Sequence, residues 1–573
     1  MTNEDTGISL TAGGALLCCL HRLGIEHVFV NSGTDFPPVI EGLLEAREQN
    51  LNLPKLLTIP HEHAALGMAH GHYLISGKPQ AVMLHTNVGL ANGSAGAINA
   101  ACEHIPILIM SGRTPISEGG RFGARTVPIG WGQEMRDQAA LVREACKWDY
   151  ELRYPEQVAG LVDRATAIAC STPKGPVYLA LPREVLCERT KIEFPDPAAN
   201  ISIMPSRGAA NPEDVAKLAE WIAGARNPLI IAQRGAGDDA SFRKFADLVE
   251  DWSIPVSTWW ATSLAIASDH PCHVGADPGP WLENADLVII LNSLAPWCPD
   301  MHRPNPEARI VNIGPDPIFS RFPVRNFRSN LSIIGELSQV IPALADELGS
   351  PDGKRPELRR RLAAVSARAV SCRSADVERA ILMPDGGISR DWVSLCLGKA
   401  LEHMESSVFS ELGVRLGLLL RRSRNSWFQE PHSGGLGWSF PAALGAQLAD
   451  PARVCVATMG DGSYMFSNPV VCHQIAESLR LPVLTVVLNN GEWGAVRESV
   501  VGLYPGGRAS KANSVPLTSL RPSPDYVMVA KASRTWARRV EVAEQLEPAL
   551  HAALQVVTDE RRPAMVEVLT VPD

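Results

Sequence analysis

Met459-Gly460-Asp461-Gly462-Ser463, followed by Leu488-Asn489-Asn490-Gly491, decides how this chain is read. Val454 to Thr458 leads into the first motif and reads as a buried strand, being short, apolar and β-branched. Pro469 to Leu479 carries apolar residues at helical spacing, and Pro482 to Leu488 reads as a second buried strand. Strand, helix and strand form a right-handed crossover with parallel strands. Both motifs are therefore expected at one carboxyl edge of one sheet, where open α/β sheets bind ligands. Asp461 and Asn490 lie 29 positions apart (490 − 461) and are expected to converge there. A carboxylate and an amide oxygen suit a hard cation such as Mg²⁺, which takes its other ligands from phosphate and water. Gly460 and Gly462 let the backbone approach a diphosphate closely.

The bulk properties narrow the class. A chain of 573 residues exceeds what one hydrophobic core serves, and about three domains are expected. Net charge is −9 and the longest basic block is Arg359-Arg360-Arg361, which argues against nucleic acid as a partner. The 12 cysteines include no CxxC pair, the pattern of reduced thiols in a cytoplasmic protein rather than of a zinc site or disulfide framework. The acidic start Met1-Thr2-Asn3-Glu4-Asp5 does not read as a signal peptide. No apolar run reaches the roughly 18 residues of a membrane span, so no membrane partner is expected.

Taken in order, Leu10 to Leu23 reads as a helix stopped by Gly24. Strands are expected at His27–Val30, Leu56–Ile59, Ala81–Leu84 and Ile105–Met110, alternating with helices from Pro38, from Glu62 and after His85. Alternation of this kind gives a doubly wound parallel sheet. Thr34, Glu62 and His85 each follow a strand and are expected at its carboxyl edge. Glu193 to Arg207 reads as a linker, a second α/β domain follows, and Gly349 to about Gly387 is a polar connection that is helical in part. The boundaries read as 1–192, 208–348 and 385–573, three doubly wound α/β domains. His61, His63, His70 and His72 form an unusual group. No carboxylate or cysteine is seen to complete a metal site, and packing or pocket lining is the expected role.

Gly-Asp-Gly followed at this interval by Asn-Asn resembles the diphosphate-and-metal motif of thiamine diphosphate (ThDP) enzymes. The resemblance implies a pyrimidine-binding first domain, a central domain and a diphosphate-binding third domain. It implies that Gly460, Asp461, Gly462, Ser463 and Asn490 hold cofactor, with Mg²⁺ on Asp461, Asn490 and the Glu492 carbonyl. His61-Glu62-His63-Ala64-Ala65-Leu66-Gly67 resembles the turn whose glutamate bonds a pyrimidine nitrogen and promotes the thiazolium ylide, which gives Glu62 the catalytic role.

The first domain is most similar to the benzoylformate decarboxylase and acetolactate synthase branch, through His85, His104-Ile105-Pro106, Lys147-Trp148-Asp149-Tyr150 and Gly175-Pro176-Val177-Tyr178-Leu179. By that likeness Thr34 stands for an active-site serine, His85 for a proton-shuttling histidine and Leu436 for the apolar wedge under the cofactor. Val414 and Arg415 replace polar diphosphate binders of acetolactate synthases, so Arg415 is expected to supply a phosphate contact instead. Thr34, Asp35, His85, His432, Trp438, Trp493, Ala495 and Ser499 are expected to line the substrate pocket.

The resulting expectation is non-oxidative decarboxylation of an aryl or branched 2-oxo acid. The rivals are an acetolactate synthase-like or 2-hydroxyacyl-CoA lyase-like carboligase, an FAD-bearing oxidase using Arg234-Gly235-Ala236-Gly237 (possible but not favoured), and a silent ThDP-binding scaffold. No GxGxxG opens the first βα turn, against an NAD-dependent dehydrogenase. In this family the cofactor lies between the first domain of one subunit and the third of another, which implies a homodimer or homotetramer. A monomer is further expected to leave the apolar helices around Ala65–Met68 and Pro441–Ala446 exposed.

Overall fold

The structure is a computed structural model that describes residues 7–192, 205–382, 387–512 and 514–572. Most of the expected linker, residues 193–204, and the acidic start, residues 1–6, lie outside the described residues. The chain divides into two compact units, Met1–Ser206 with Pro431–Asp450, and Arg207–Glu430 with Pro451–Asp573.

The first unit is built on a six-stranded sheet in the order Lys55–Thr58, His27–Val30, Gln80–Leu84, Ile107–Arg113, Val177–Pro182, Asp149–Glu151. Every neighbouring pair is parallel. Such a sheet is buried on both faces, which is why Gln80–Leu84 and Ile107–Arg113 are buried throughout instead of alternating. Val30 stands opposite both Thr58 and Met83, so the segments leaving these three strands emerge at one edge.

The helix expected from Leu10 begins at Ala12. Thr11 caps it, its Oγ1 accepting the Gly14 N–H at 3.2 Å, and Ile8–Thr11 instead pairs antiparallel with Arg189–Ile192. Gly24 takes φ +80°, the left-handed stop the sequence signals.

The helix Glu62–Ser76 packs along the helix Ser439–Ala449 in this same unit. A Cβ at Gly71 would lie 1.9 Å from the Ala442 carbonyl oxygen, and one at Gly445 would lie 1.9 Å from that of Met68. The two backbones therefore touch where only hydrogen fits. This corrects the expectation of exposed apolar helices. Ala65, Met68, Ala442 and Ala446 are fully buried within one chain, and their burial gives no argument for a second subunit.

The second unit holds two further parallel sheets. One runs Val256–Ser257, Pro228–Ala232, Leu287–Leu291, Arg309–Gly314, Leu331–Ile334. The other runs Trp427–Gln429, Ser406–Glu411, Val454–Gly460, Leu484–Asn489, Ala564–Leu569, Trp536–Val540. The polar connection before the third sheet forms a 27-residue helix, Arg355–Ile381, which buries only Leu358, Val365, Ala369 and Ala380.

Candidate active site

In the second unit Gly460 stands opposite Leu488, so Asp461 and the Asn489-Asn490 pair leave neighbouring parallel strands side by side. Asp461 begins the short helix Asp461–Phe466 directly, with no intervening loop. Its side chain is 1% exposed. Burial pushes the carboxyl up to about 6, against hydrogen bonds from the backbone N–H groups of Asp461, Gly462, Gly491 and Asn490. Oδ2 is buried without a partner. A buried carboxylate oxygen lacking a donor is costly unless a cation meets it, so the residues present fit a metal here.

The second motif is held from behind. Asn489 Nδ2 donates to Glu567 Oε1 at 2.8 Å, and its Oδ1 accepts the Gly491 N–H at 3.0 Å. Gly491 sits at φ +69°. Asn490 Oδ1 accepts the Glu492 N–H at 3.0 Å, and the Glu492 carboxylate pairs with Arg497 at 2.7 Å. Trp493 lies over Gly462, where a Cβ would come within 2.7 Å of its ring. Ala495 and Ser499 lie on the helix Gly494–Leu503, none of whose residues is buried. Ser463 is buried at the start of the first motif's helix.

The Arg415 guanidinium stands 3.0 Å from Asp391, so the phosphate contact expected of it meets a competing carboxylate. Sequence reading missed a pair of buried acids nearby in the chain order, Glu411 and Glu430. Glu411 ends its strand opposite Met459 and is fully buried. Glu430 follows the neighbouring strand, and burial together with the Glu411 charge pushes it up to about 7.

In the first unit the sheet edge gathers Asp35, Glu62 and His85. The Asp35 carboxylate lies 2.5 Å from His85 Nδ1, and Gln133 Nε2 lies 3.1 Å from His85 Nε2. The carboxylate accepts from Nδ1–H, and in the neutral ring this leaves Nε2 as the acceptor facing the amide. Two glycines make room for the pair. A Cβ at Gly33 would strike the His85 ring at 2.1 Å, and one at Gly112 would strike Asp35 Oδ2 at 1.5 Å. Thr34, beside Asp35, is exposed, and its carbonyl accepts from Arg183 at 3.3 Å. Glu62 Oε2 accepts from Asn92 Nδ2 at 3.1 Å, and Gly89 leaves space beside Oε1.

The hydrogen bond to Asp35 raises the His85 pKa above 6.5, with further help from the Asp35 and Glu62 charges. The folded state thus favours the imidazolium. The stability this contributes is full below about 6.5 and is lost as pH rises through the raised value. Asp35→Asn should move the His85 titration, followed by ring-proton NMR, to lower pH. An unmoved titration would show that the carboxylate does not set it.

Asn99 ties the loop after Pro431 to this unit. It accepts from Ser433 Oγ at 2.7 Å and donates to the Gly435 carbonyl at 2.8 Å. His432 N–H reaches Glu103 at 3.4 Å, and Leu436 is half-buried. The His63 ring bonds the backbone of Leu436 and Gly437. Trp438 is 2% exposed and stands edge-on to the His70 ring at 5.4 Å. The four histidines therefore share no centre: His63 and His70 face this loop, and His72 faces His27.

Three parallel-sheet domains with a metal-suited Asp–Asn pair and a sheet-edge glutamate define a class, and family comparison agrees. Residues 10–141 match the N-terminal TPP binding domain of thiamine pyrophosphate enzymes, 215–344 their central domain and 414–568 their C-terminal TPP binding domain. The chain belongs to this family, in the branch that contains decarboxylases and acetolactate synthases.

Benzoylformate decarboxylase of Pseudomonas aeruginosa is 27% identical over 96% of this chain and 97% of its own. A protein of the same organism described as "Probable 2-ketoarginine decarboxylase" is 26% identical over 95% and 92%. The acetolactate synthase isozyme 3 large subunit of Escherichia coli is 23% identical over 88% and 86%. The fold also matches a ThDP-dependent 4-hydroxybenzoylformate decarboxylase of Rhodococcus jostii RHA1, with TM-score 0.77 and 21% identity over 98% of this chain and 99% of that one. Among the described residues no helix is long and apolar enough to cross a membrane.

Proposed function

We propose that this member of the family uses ThDP and Mg²⁺ to decarboxylate an aryl or branched 2-oxo acid without oxidation. The observation that carries the reading is the Asp35–His85 pair held at one sheet edge with Glu62, a proton-handling set suited to an anionic intermediate. Asp461 and Asn490 side chains and the Glu492 carbonyl would hold the metal. Gly460, Gly462 and Ser463 would hold the diphosphate, and Leu436 would support the rings. When bound, ThDP supplies a nucleophilic carbon and an electron sink.

Glu62 would hold a proton for the pyrimidine ring, with Asn92 fixing its other oxygen. His85 would deliver a proton from Nε2, the ring nitrogen that does not bond Asp35. Thr34, Trp493, Ala495, Ser499 and His432 would surround the substrate, and Trp438 would back them from the buried side. Domain boundaries at 1–192, 208–348 and 385–573 go with this reading.

His85→Ala should slow turnover by about 10²–10⁴-fold, the usual effect of removing a general acid–base. Steady-state rates show it, and a change under about threefold would leave His85 a packing residue. The reaction class is tested by product analysis with and without an acceptor aldehyde. Free aldehyde in both cases is expected. A hydroxyketone as main product would favour the second reading, a carboligase, which the likeness to acetolactate synthase supports.

We also propose assembly as a homodimer or homotetramer with active sites at the subunit interface. The helix Gly494–Leu503 supports this, since it buries nothing yet carries Val496, Val501 and Leu503. A monomeric mass by light scattering would contradict it.

A further inference from the structure

We propose that Glu26, His27 and His72 form a second metal site, one that takes a divalent transition-metal ion of the zinc type and not the Mg²⁺ of the diphosphate centre. One ligand atom from each of the three lies within 4.8 Å of the others. His27 opens the strand His27–Val30, and His72 lies near the end of the helix Glu62–Ser76, so the site would join the two elements.

Two buried nitrogens point to a ligand. His27 Nδ1 and His72 Nε2 are both without a hydrogen-bond partner, and the two rings stand edge to face at 5.2 Å. His72 itself is 1% exposed. Ser76 Oγ lies 2.8 Å from the His72 carbonyl and 3.1 Å from His72 Nδ1. With the hydroxyl proton on the carbonyl, the same oxygen accepts from Nδ1–H, and Nε2, which has no partner, then presents a bare lone pair beside the His27 ring. Metal-bound histidines are usually oriented in this way, with the distal N–H held by an oxygen.

Two imidazoles and one carboxylate suit zinc or its neighbours in the transition series and suit Mg²⁺ poorly, since Mg²⁺ prefers all-oxygen shells. Zinc bonds of about 2.0–2.1 Å require the ligand atoms to close in from the present spacing. Glu26 is exposed and His27 partly so, which leaves them free to move. Glu26 now pairs with Lys78 at 2.5 Å, with the two side chains 46% and 58% exposed; a solvated pair of this kind is a weak competitor. Bound there, the ion would pin the far end of the helix whose first residue is Glu62.

The test uses the full-length protein, stripped with a chelator, freed of the chelator, resupplied with ThDP and Mg²⁺, and then titrated with Zn²⁺ or, as a spectroscopic probe, Co²⁺. One equivalent per chain should bind, with visible absorption from Co²⁺ that Zn²⁺ displaces and a raised melting temperature. His27→Gln should lose the absorption and the melting shift. Ser76→Ala should weaken binding by about 10–100-fold, as removal of an orienting partner does. If His27→Gln does not fold, the exposed Glu26→Gln decides, and it too should lose the Co²⁺ absorption. Wild-type protein that binds no more Zn²⁺ than these variants, or variants that keep the wild-type spectrum, would overturn the proposal and leave a water bridging the two rings.

Discussion

Asp461→Ala is expected to abolish metal-dependent cofactor binding while leaving the fold intact. The carboxylate is 1% exposed, burial pushes it up to about 6, and its Oδ2 has no partner. The apoprotein therefore holds a desolvated acid at a cost, as functional sites commonly do. Its removal should leave the melting temperature of the apoprotein unchanged or higher. With cofactor the sign reverses, because the diphosphate would lose a bridging cation. Loss of a charged partner in a buried site is worth roughly 3–5 kcal/mol, or about 10²-fold or more in affinity. Calorimetric titration of ThDP with and without Mg²⁺ measures this. An affinity equal to wild type would remove the metal role from Asp461.

Glu62→Gln is expected to keep cofactor binding and to lose activation of the cofactor. The substitution preserves shape, and one side-chain oxygen can still accept from Asn92. An amide cannot exchange a proton with the pyrimidine ring, so deuterium exchange at the thiazolium carbon should slow by about 10²–10⁴-fold. Exchange at the wild-type rate, with cofactor shown to be bound, would contradict the assignment.

Why some of this was legible in the sequence and some was not has a physical explanation. The convergence of Asp461 with Asn490 follows from crossover handedness and short buried strands, which local patterns reveal. The edge positions of Glu62 and His85 follow from the same alternation. Contacts set by vacancies were not legible. Asp35 appeared only as a pocket residue, whereas its bond to His85 depends on missing side chains at Gly33 and Gly112.

Gln133 comes from an irregular segment with no periodic pattern to place it. Arg415 is turned by Asp391, which lies on the helix Arg390–Ala400. The backbone contact of Gly71 with Ala442 joins residues far apart in the chain, so the burial of the two apolar helices against each other could not be read locally. His27 and His72 lie on a strand and a helix 45 positions apart (72 − 27), which hid their meeting from any spacing rule.

The central claim is that these residues support cofactor-dependent loss of carbon dioxide from a 2-oxo acid. Carbon dioxide release from a panel of aryl, branched and basic 2-oxo acids tests it most directly, with ThDP and Mg²⁺ supplied or withheld and Asp461→Ala as control. Release from at least one aryl or branched acid, dependent on both additions and absent in the variant, is the predicted result. No release from any acid by protein shown to be folded and loaded with ThDP would contradict the account.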